Sequence, residues 1–109
     1  MSAKLIALYT QPENEAEFDQ QYFDTHVPLA EKMPGLARME VAKVKTNLMG
    51  GESPYYMIAE LYFDSVSDLN NAMSSPEGKA AGKNLMSFAA KNVTMLVAEV
   101  QSAVGAGVY

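Results

Sequence analysis

The sequence predicts an α+β domain in which four strands form one antiparallel sheet and the helices cover one of its faces. Three observations predict it. Strand-like and helix-like runs follow one another in the order β-α-β-β-α-β. The first and last of the strand-like runs are apolar on both faces, the mark of strands covered from two sides. The length of 109 residues and 49% hydrophobic content fit one domain with a core, and not a disordered chain.

The first strand is Lys4 to Thr10, short, apolar and ending at Tyr9-Thr10. A turn carrying Pro12 follows. Asn14 is placed to cap a helix, with Glu15 and Glu17 in the first turn, where the helix dipole favours anions. Phe18, Tyr22, His26, Leu29 and Met33 recur at spacings of three or four, one face of a helix. Pro28 has no backbone N–H and crowds the preceding turn. The helix is therefore expected to run to about Asp24, break near Pro28 with His26 at the restart, and resume to Met33. Pro34-Gly35 ends it.

Leu36 to Lys45 reads as a second strand. Its lysines and alternating charges suit a sheet edge. Thr46 to Pro54 is a loop with Gly50-Gly51 at its tip. Tyr55 to Phe63 is the third strand, with Tyr55, Met57, Ala59, Leu61 and Phe63 on one face and Tyr56, Ile58, Glu60 and Tyr62 on the other. Asp64 to Ser67 offers caps for a short helix whose inward pair is Leu69 and Met73. Ser75 and Pro76, as cap and first helical residue, open the next helix. Its apolar face is Ala80, Ala81, Leu85, Phe88 and Ala89. Gly78 and Gly82 cost it about 1 kcal/mol each relative to alanine and permit close packing. Asn92 to Gln101 is the fourth strand, and Ser102 to Tyr109 a tail of small residues, with Tyr109 a potential anchor to a neighbour. Met33, Met39, Met57, Met86 and Met95 fall at inward positions, as core or as an adaptable pocket wall.

Right-handed crossovers place the first and third strands at the centre of the sheet. With both helices on one face, the other is a large apolar patch, which usually marks an interface. A symmetric homodimer with its two sheets facing each other satisfies it.

Several function classes are excluded by composition. The net charge of −5 argues against nucleic acid and anionic membranes as partners. No apolar run approaches the ~20 residues of a membrane span. There is no cysteine, hence no disulfide or thiolate, which together with the absence of a signal-peptide layout fits the cytoplasm. With one histidine and no cysteine, neither a transition-metal site nor any other cofactor is expected: glycine-rich nucleotide loops and a nucleophile elbow are also missing.

A strand ending in Tyr9, Pro12 just after it, Phe18, Tyr22, the run Thr25-His26-x-Pro28-Leu29-Ala30 and Pro34-Gly35-Leu36 together resemble the EthD family, named after ethyl tert-butyl ether degradation. Ser75-Pro76-Glu77-Gly78 followed by Phe88-Ala89 resembles that family's second helix. The resemblance runs in order along roughly the whole chain, and the H-x-P-L and P-G-L blocks are its most specific part. It implies a ferredoxin-like protomer over residues 1–101, a C-terminal tail at 102–109, and a dimeric α+β barrel. One position departs from the pattern: Asn84 stands where relatives carry an acidic residue, so no carboxylate role carries over there.

The candidate site residues follow from both lines of reasoning. His26 is the one side chain whose ordinary pKa lies near neutrality. It is either a general acid or base, or a structural imidazole bonding a backbone carbonyl at the helix break. Tyr22 lies four residues before it on the same helical face; either it polarises a substrate or orients the ring, or it is a core tyrosine with a satisfied hydroxyl. Tyr9, at the end of the first strand, has the same two roles open to it. Tyr56, Glu60 and Tyr62 would line a partly polar cavity between the two sheets of the dimer, where a buried carboxylate could serve as a base. The alternative for Glu60 is an ion pair with Arg38 or another charge on the adjacent strand.

Three functions are consistent with these features. One is a cofactor-independent enzyme acting on a small, hydrophobic, oxygenated molecule by acid–base chemistry, of the isomerase, cyclase/dehydratase or monooxygenase type that the resemblance implies. The second is a non-catalytic accessory or binding protein for an ether or aromatic degradation system. The third is a structural dimer whose cavity is filled by its own side chains.

Overall fold

The structure is a computed structural model that describes residues 2–105. Strand β1 spans Ala3–Thr10, β2 Arg38–Lys43, β3 Tyr55–Phe63 and β4 Val93–Glu99. They form one antiparallel sheet in the order β2-β3-β1-β4, with β1 and β3 central as expected. The fold is α+β and ferredoxin-like. Helices α1 (Glu15–Gln21), α2 (Val27–Ala30), α3 (Val66–Ser74) and α4 (Pro76–Ala89) lie on one side of the sheet.

Cross-strand register decides which side chains meet the helices. Leu5, Ala7 and Tyr9 of β1 stand opposite Leu61, Ala59 and Met57 of β3. All six are at most 7% exposed and form the core with Phe18, Tyr22, Ala30 and Leu85 from the helices. The alternate residues, Lys4, Ile6 and Leu8 of β1 with Ile58 and Glu60 of β3, are half-buried and face away from the helices. Leu96 of β4, paired with Ile6, is 48% exposed.

The capping predictions hold. The Asn14 side chain accepts from Glu17 N–H, and Ser75 accepts from Gly78 N–H. Gly35 adopts φ +79° in the turn that follows α2, a conformation glycine takes without strain. Gly78 permits close packing as expected. A Cβ there would press into the Ala72 carbonyl oxygen and lie 2.9 Å from Met73 Cα, so only glycine lets α4 approach the end of α3 this closely. Around Gly82 the space is open.

Several expectations are corrected. The helix does not break near Pro28. It continues without interruption through a π-helical turn, Tyr22–His26, into α2, with Val27 N–H donating to the Tyr22 carbonyl five residues back. Widening the turn is how a helix absorbs a proline that cannot supply the usual i→i−4 bond. It ends as helix at Ala30, before Met33, although Met33 is still buried. β2 and β4 are each shorter than the hydrophobic pattern suggested, with single backbone hydrogen bonds at Ala37, Val44 and Val100 continuing the pairing just beyond their ends. Ala80 is exposed and Gly78 takes its place on the buried face of α4; Met86 is 43% exposed. Tyr109 lies outside the described residues.

Candidate functional site

The π-turn and β1 bring three polar side chains together on the helix side of the sheet. Tyr9 is 1% exposed, Tyr22 0% and His26 6%. The Tyr9 and Tyr22 rings meet edge-on at 5.3 Å, and the Tyr22 and His26 rings lie 5.1 Å apart. Phe18 stacks on Tyr22 at 6.0 Å, and Phe88 meets Phe18 at 5.5 Å and His26 at 6.4 Å. Each such aromatic pair adds about 0.5–1.5 kcal/mol beyond its buried area, so the cluster fixes ring positions as well as filling space.

Tyr9 Oη donates to Tyr22 Oη at 3.4 Å, long for a hydroxyl pair. Burial raises both phenols. For Tyr9 the shift is large, added to by repulsion from the Tyr22 charge and by its hydrogen bond to Tyr22; Tyr22 is pushed up to about 12, with the hydrogen bond from Tyr9 acting in the opposite direction. Both are therefore neutral hydroxyls at physiological pH, able to donate a hydrogen bond and not to act as bases. Burial lowers the His26 pKa below its ordinary value, while the Asn84 side chain and the Ala81 carbonyl favour the imidazolium. His26 Nδ1 is sealed from solvent and has no hydrogen-bond partner. The ring is neutral above its lowered pKa, so at neutral pH it can accept a proton.

These three side chains border a cavity of about 30 Å³ between sheet and helices, whose other walls include Leu5, Met33, Met73, Ala81, Leu85 and Met95. That volume holds about one water. A larger depression of about 550 Å³ lies at the surface between the start of α1 and the end of α4, lined by residues including Glu13, Glu17, Met86 and Lys91, with Phe18 and Phe88 among its walls. It contains none of the three polar groups. The inner cavity is the one that the three polar groups border.

The predicted set divides into three places. Tyr9, Tyr22 and His26 converge, but inside one protomer and not between facing sheets. Glu60 and Tyr62 lie on the opposite face of the sheet. Lys4 pairs with Glu60 at 2.8 Å and lies over the Tyr62 ring at 5.4 Å, while Arg38 pairs with Glu40. The ion-pair alternative for Glu60 is thus the observed one, with Lys4 in place of Arg38. Tyr56 leaves that face altogether. The register slips next to Tyr9–Thr10, so that Tyr9 pairs with Met57 and Thr10 with Tyr55. This bulge buries Tyr56 beside Met57 on the helix side. There its hydroxyl donates to both carboxylate oxygens of Asp19, at 2.8 and 3.0 Å, and Lys43 pairs with the same carboxylate. Sequence reasoning missed Asp19 and the burial of the Asn84 side-chain oxygen, which has no hydrogen-bond partner. Neither residue carries a local pattern. Among the described residues no group of three or more His, Asp or Glu side chains could hold a metal, and no helix is long and apolar enough to cross a membrane.

Comparison with known proteins agrees with this architecture. The EthD domain family model matches residues 10–92. The crystal structure of an ethyl tert-butyl ether degradation (EthD) family protein from Bacillus halodurans is 46% identical, with a TM-score of 0.88 over 93% of this chain and 100% of that one. An uncharacterised 11.0 kDa protein of the thcB–thcC intergenic region of Rhodococcus erythropolis is 33% identical over 91% of this chain and 95% of its own length. More distant structures share the fold: SnoaB, a cofactor-independent oxygenase from Streptomyces nogalater, in a variant form (12% identity, TM-score 0.70, 94% of this chain and 96% of that one), and a dimeric ferredoxin-like protein of unknown function from Jannaschia (18%, 0.68, 92% and 100%).

Proposed function

The chain belongs to the EthD family, and on that premise we propose that it binds a small, hydrophobic, oxygenated molecule between the helices and sheet of each protomer, with His26 as the acid–base group. The observation that carries this reading is a buried imidazole with an unpartnered nitrogen, set beside two neutral tyrosine hydroxyls in an otherwise apolar cavity. A ligand carbonyl or ether oxygen would accept from Tyr22, while neutral His26 removes a proton from the adjacent carbon. Tyr9 holds Tyr22 in place from behind. The chemistry asks for no cofactor, and SnoaB is an example of a cofactor-independent oxygenase on this fold.

Anything larger than water requires the walls to yield. The three cavity methionines, Met33, Met73 and Met95, are the side chains to move, methionine being the most adaptable of core residues. A second reading is a binding or accessory role without turnover. Both readings keep the ligand within one protomer.

We also propose a homodimer formed through the helix-free face, which would enclose Ile6, Leu8, Ile58 and Leu96 and close a barrel from the two sheets. The dimeric Jannaschia neighbour supports it. The cysteine-free composition suits a cytoplasmic protein.

The test is a panel of small lactones, ketones and ethers screened for saturable binding and for turnover, with His26→Gln and Tyr22→Phe as variants. The catalytic reading expects binding to survive in folded His26→Gln while turnover is lost. Binding without turnover in the native protein supports the accessory role. No saturable binding by any compound contradicts both.

A further inference from the structure

Among the described residues, two buried side-chain polar atoms have no hydrogen-bond partner: His26 Nδ1 and Asn84 Oδ1. They belong to neighbouring elements, the π-turn and α4. On α4, Asn84 falls on the same helical face as Ala81 and Phe88, at spacings of three and four residues that return to one side of the helix. Ala81 and Leu85 border the His26 cavity, and the Phe88 ring lies 6.4 Å from the imidazole. Leaving one such group unsatisfied costs about 1–3 kcal/mol, and the Asn84 side chain is close enough to the His26 ring to act on it.

The chemistry of the two atoms fixes the direction of the bond. An amide oxygen only accepts. The buried end of Asn84 is its oxygen, so the imidazole nitrogen facing it must carry the proton. We propose that Asn84 is the positioning residue of His26: its Oδ1 accepts from Nδ1–H, which holds the neutral ring in the Nδ1–H tautomer and leaves Nε2 as the atom that exchanges protons with a ligand. This deepens the acid–base reading of the site and rests on it for its functional meaning. The electrostatics agree, since the Asn84 side chain acts on His26 to favour the protonated ring against the effect of burial. A neutral amide stabilises the imidazolium less than a carboxylate would. Asn84 therefore orients the ring while leaving it unprotonated near neutrality, as a base rather than an acid.

The experiment is a long-range ¹H–¹⁵N spectrum of the single histidine in the intact, ligand-free protein at pH 8, followed by a pH titration. The expected result is an Nδ1–H tautomer, opposite to the preference of imidazole in water. In Asn84→Leu the tautomer should revert to Nε2–H and the titration midpoint should fall. In Asn84→Asp the midpoint should rise by about 1–3 units, the shift of a group facing an opposite charge. A dominant Nε2–H tautomer in the native protein overturns the proposal, and this measurement needs no substitution that could impair folding. So does a native tautomer and midpoint left unchanged in a folded Asn84→Leu variant. Because the readout is taken without ligand, it separates failure of this pairing from failure of the binding site, which the ligand panel tests by itself.

Discussion

Two glycines of α4, four residues apart, should respond to alanine in opposite directions. In a helix interior Gly→Ala ordinarily stabilises by about 0.5–1 kcal/mol, because alanine loses less backbone freedom on folding. At Gly82 the added methyl meets nothing within 4 Å, so the full gain is expected. At Gly78 the methyl would run into the Ala72 carbonyl oxygen and lie 2.9 Å from both Met73 Cα and its carbonyl oxygen. Those are backbone atoms of α3 and its C-terminal end, so no side-chain rotation relieves the clash. The two helices must part, at an overpacking cost of about 1–3 kcal/mol or more. Subtracting the propensity gain leaves Gly78→Ala destabilised by up to about 2 kcal/mol, with a larger loss where the separation disturbs more of the core. The two variants would then differ by roughly 1–3 kcal/mol, or about 4–20 °C in Tm for a domain of this size. Urea denaturation followed by circular dichroism, at one fixed protein concentration, measures both. A Gly78→Ala variant as stable as Gly82→Ala would refute the close approach of α3 and α4.

Other predictions follow from the same contacts. Tyr56→Phe removes the hydroxyl that bridges β3 to Asp19 of α1 and should cost about 1–2 kcal/mol in denaturation, with Asp19→Asn losing part of the same stability. His26 has a folded-state pKa below its unfolded value of about 6.5, so below that pH the unfolded chain takes up a proton that the folded one resists. Its contribution is thus fully present above pH 6.5. It is lost as pH falls from there to the folded midpoint, at up to about 1.4 kcal/mol per unit, and His26→Gln should remove this part of the pH dependence. Leu96→Lys, on the helix-free face, should convert a dimer to a folded monomer of 11.8 kDa by analytical ultracentrifugation; an unchanged oligomeric state in a folded variant would count against that interface.

Much of this fold is legible in the sequence because its signals are local. Strand alternation in Tyr55–Phe63, the Asn14 and Ser75 caps and the Ser75-Pro76 helix start each depend on a few adjacent residues. The convergence of Tyr22 and His26 is legible too, since a spacing of four survives the change from α to π geometry. What the sequence conceals is non-local. Proline signals a disturbance near His26 but does not say whether the chain breaks or widens its turn. The bulge that turns Tyr56 towards the helices comes from a register slip against β1, far away in the chain. Period-two reasoning along β3 alone places that tyrosine on the wrong face. Likewise, a count of polar residues on β3 cannot reveal that Lys4, 56 residues earlier, neutralises Glu60. The placement of the cavity inside the protomer depends on which face of β1 meets the helices, and both faces are apolar enough to fit.

The measurement that bears most directly on the account is the response of the His26 ring to a ligand. The imidazole ¹H–¹³C signals would be followed through a pH titration, then through titration with small lactones, ketones and ethers at a pH where the ring is neutral. The account predicts a midpoint below 6.5, from burial, and saturable shifts with at least one compound class that are weakened in Tyr22→Phe. An imidazole that titrates like a free histidine, or whose signals stay unmoved while a compound binds elsewhere on the protein, would contradict a ligand site built around His26.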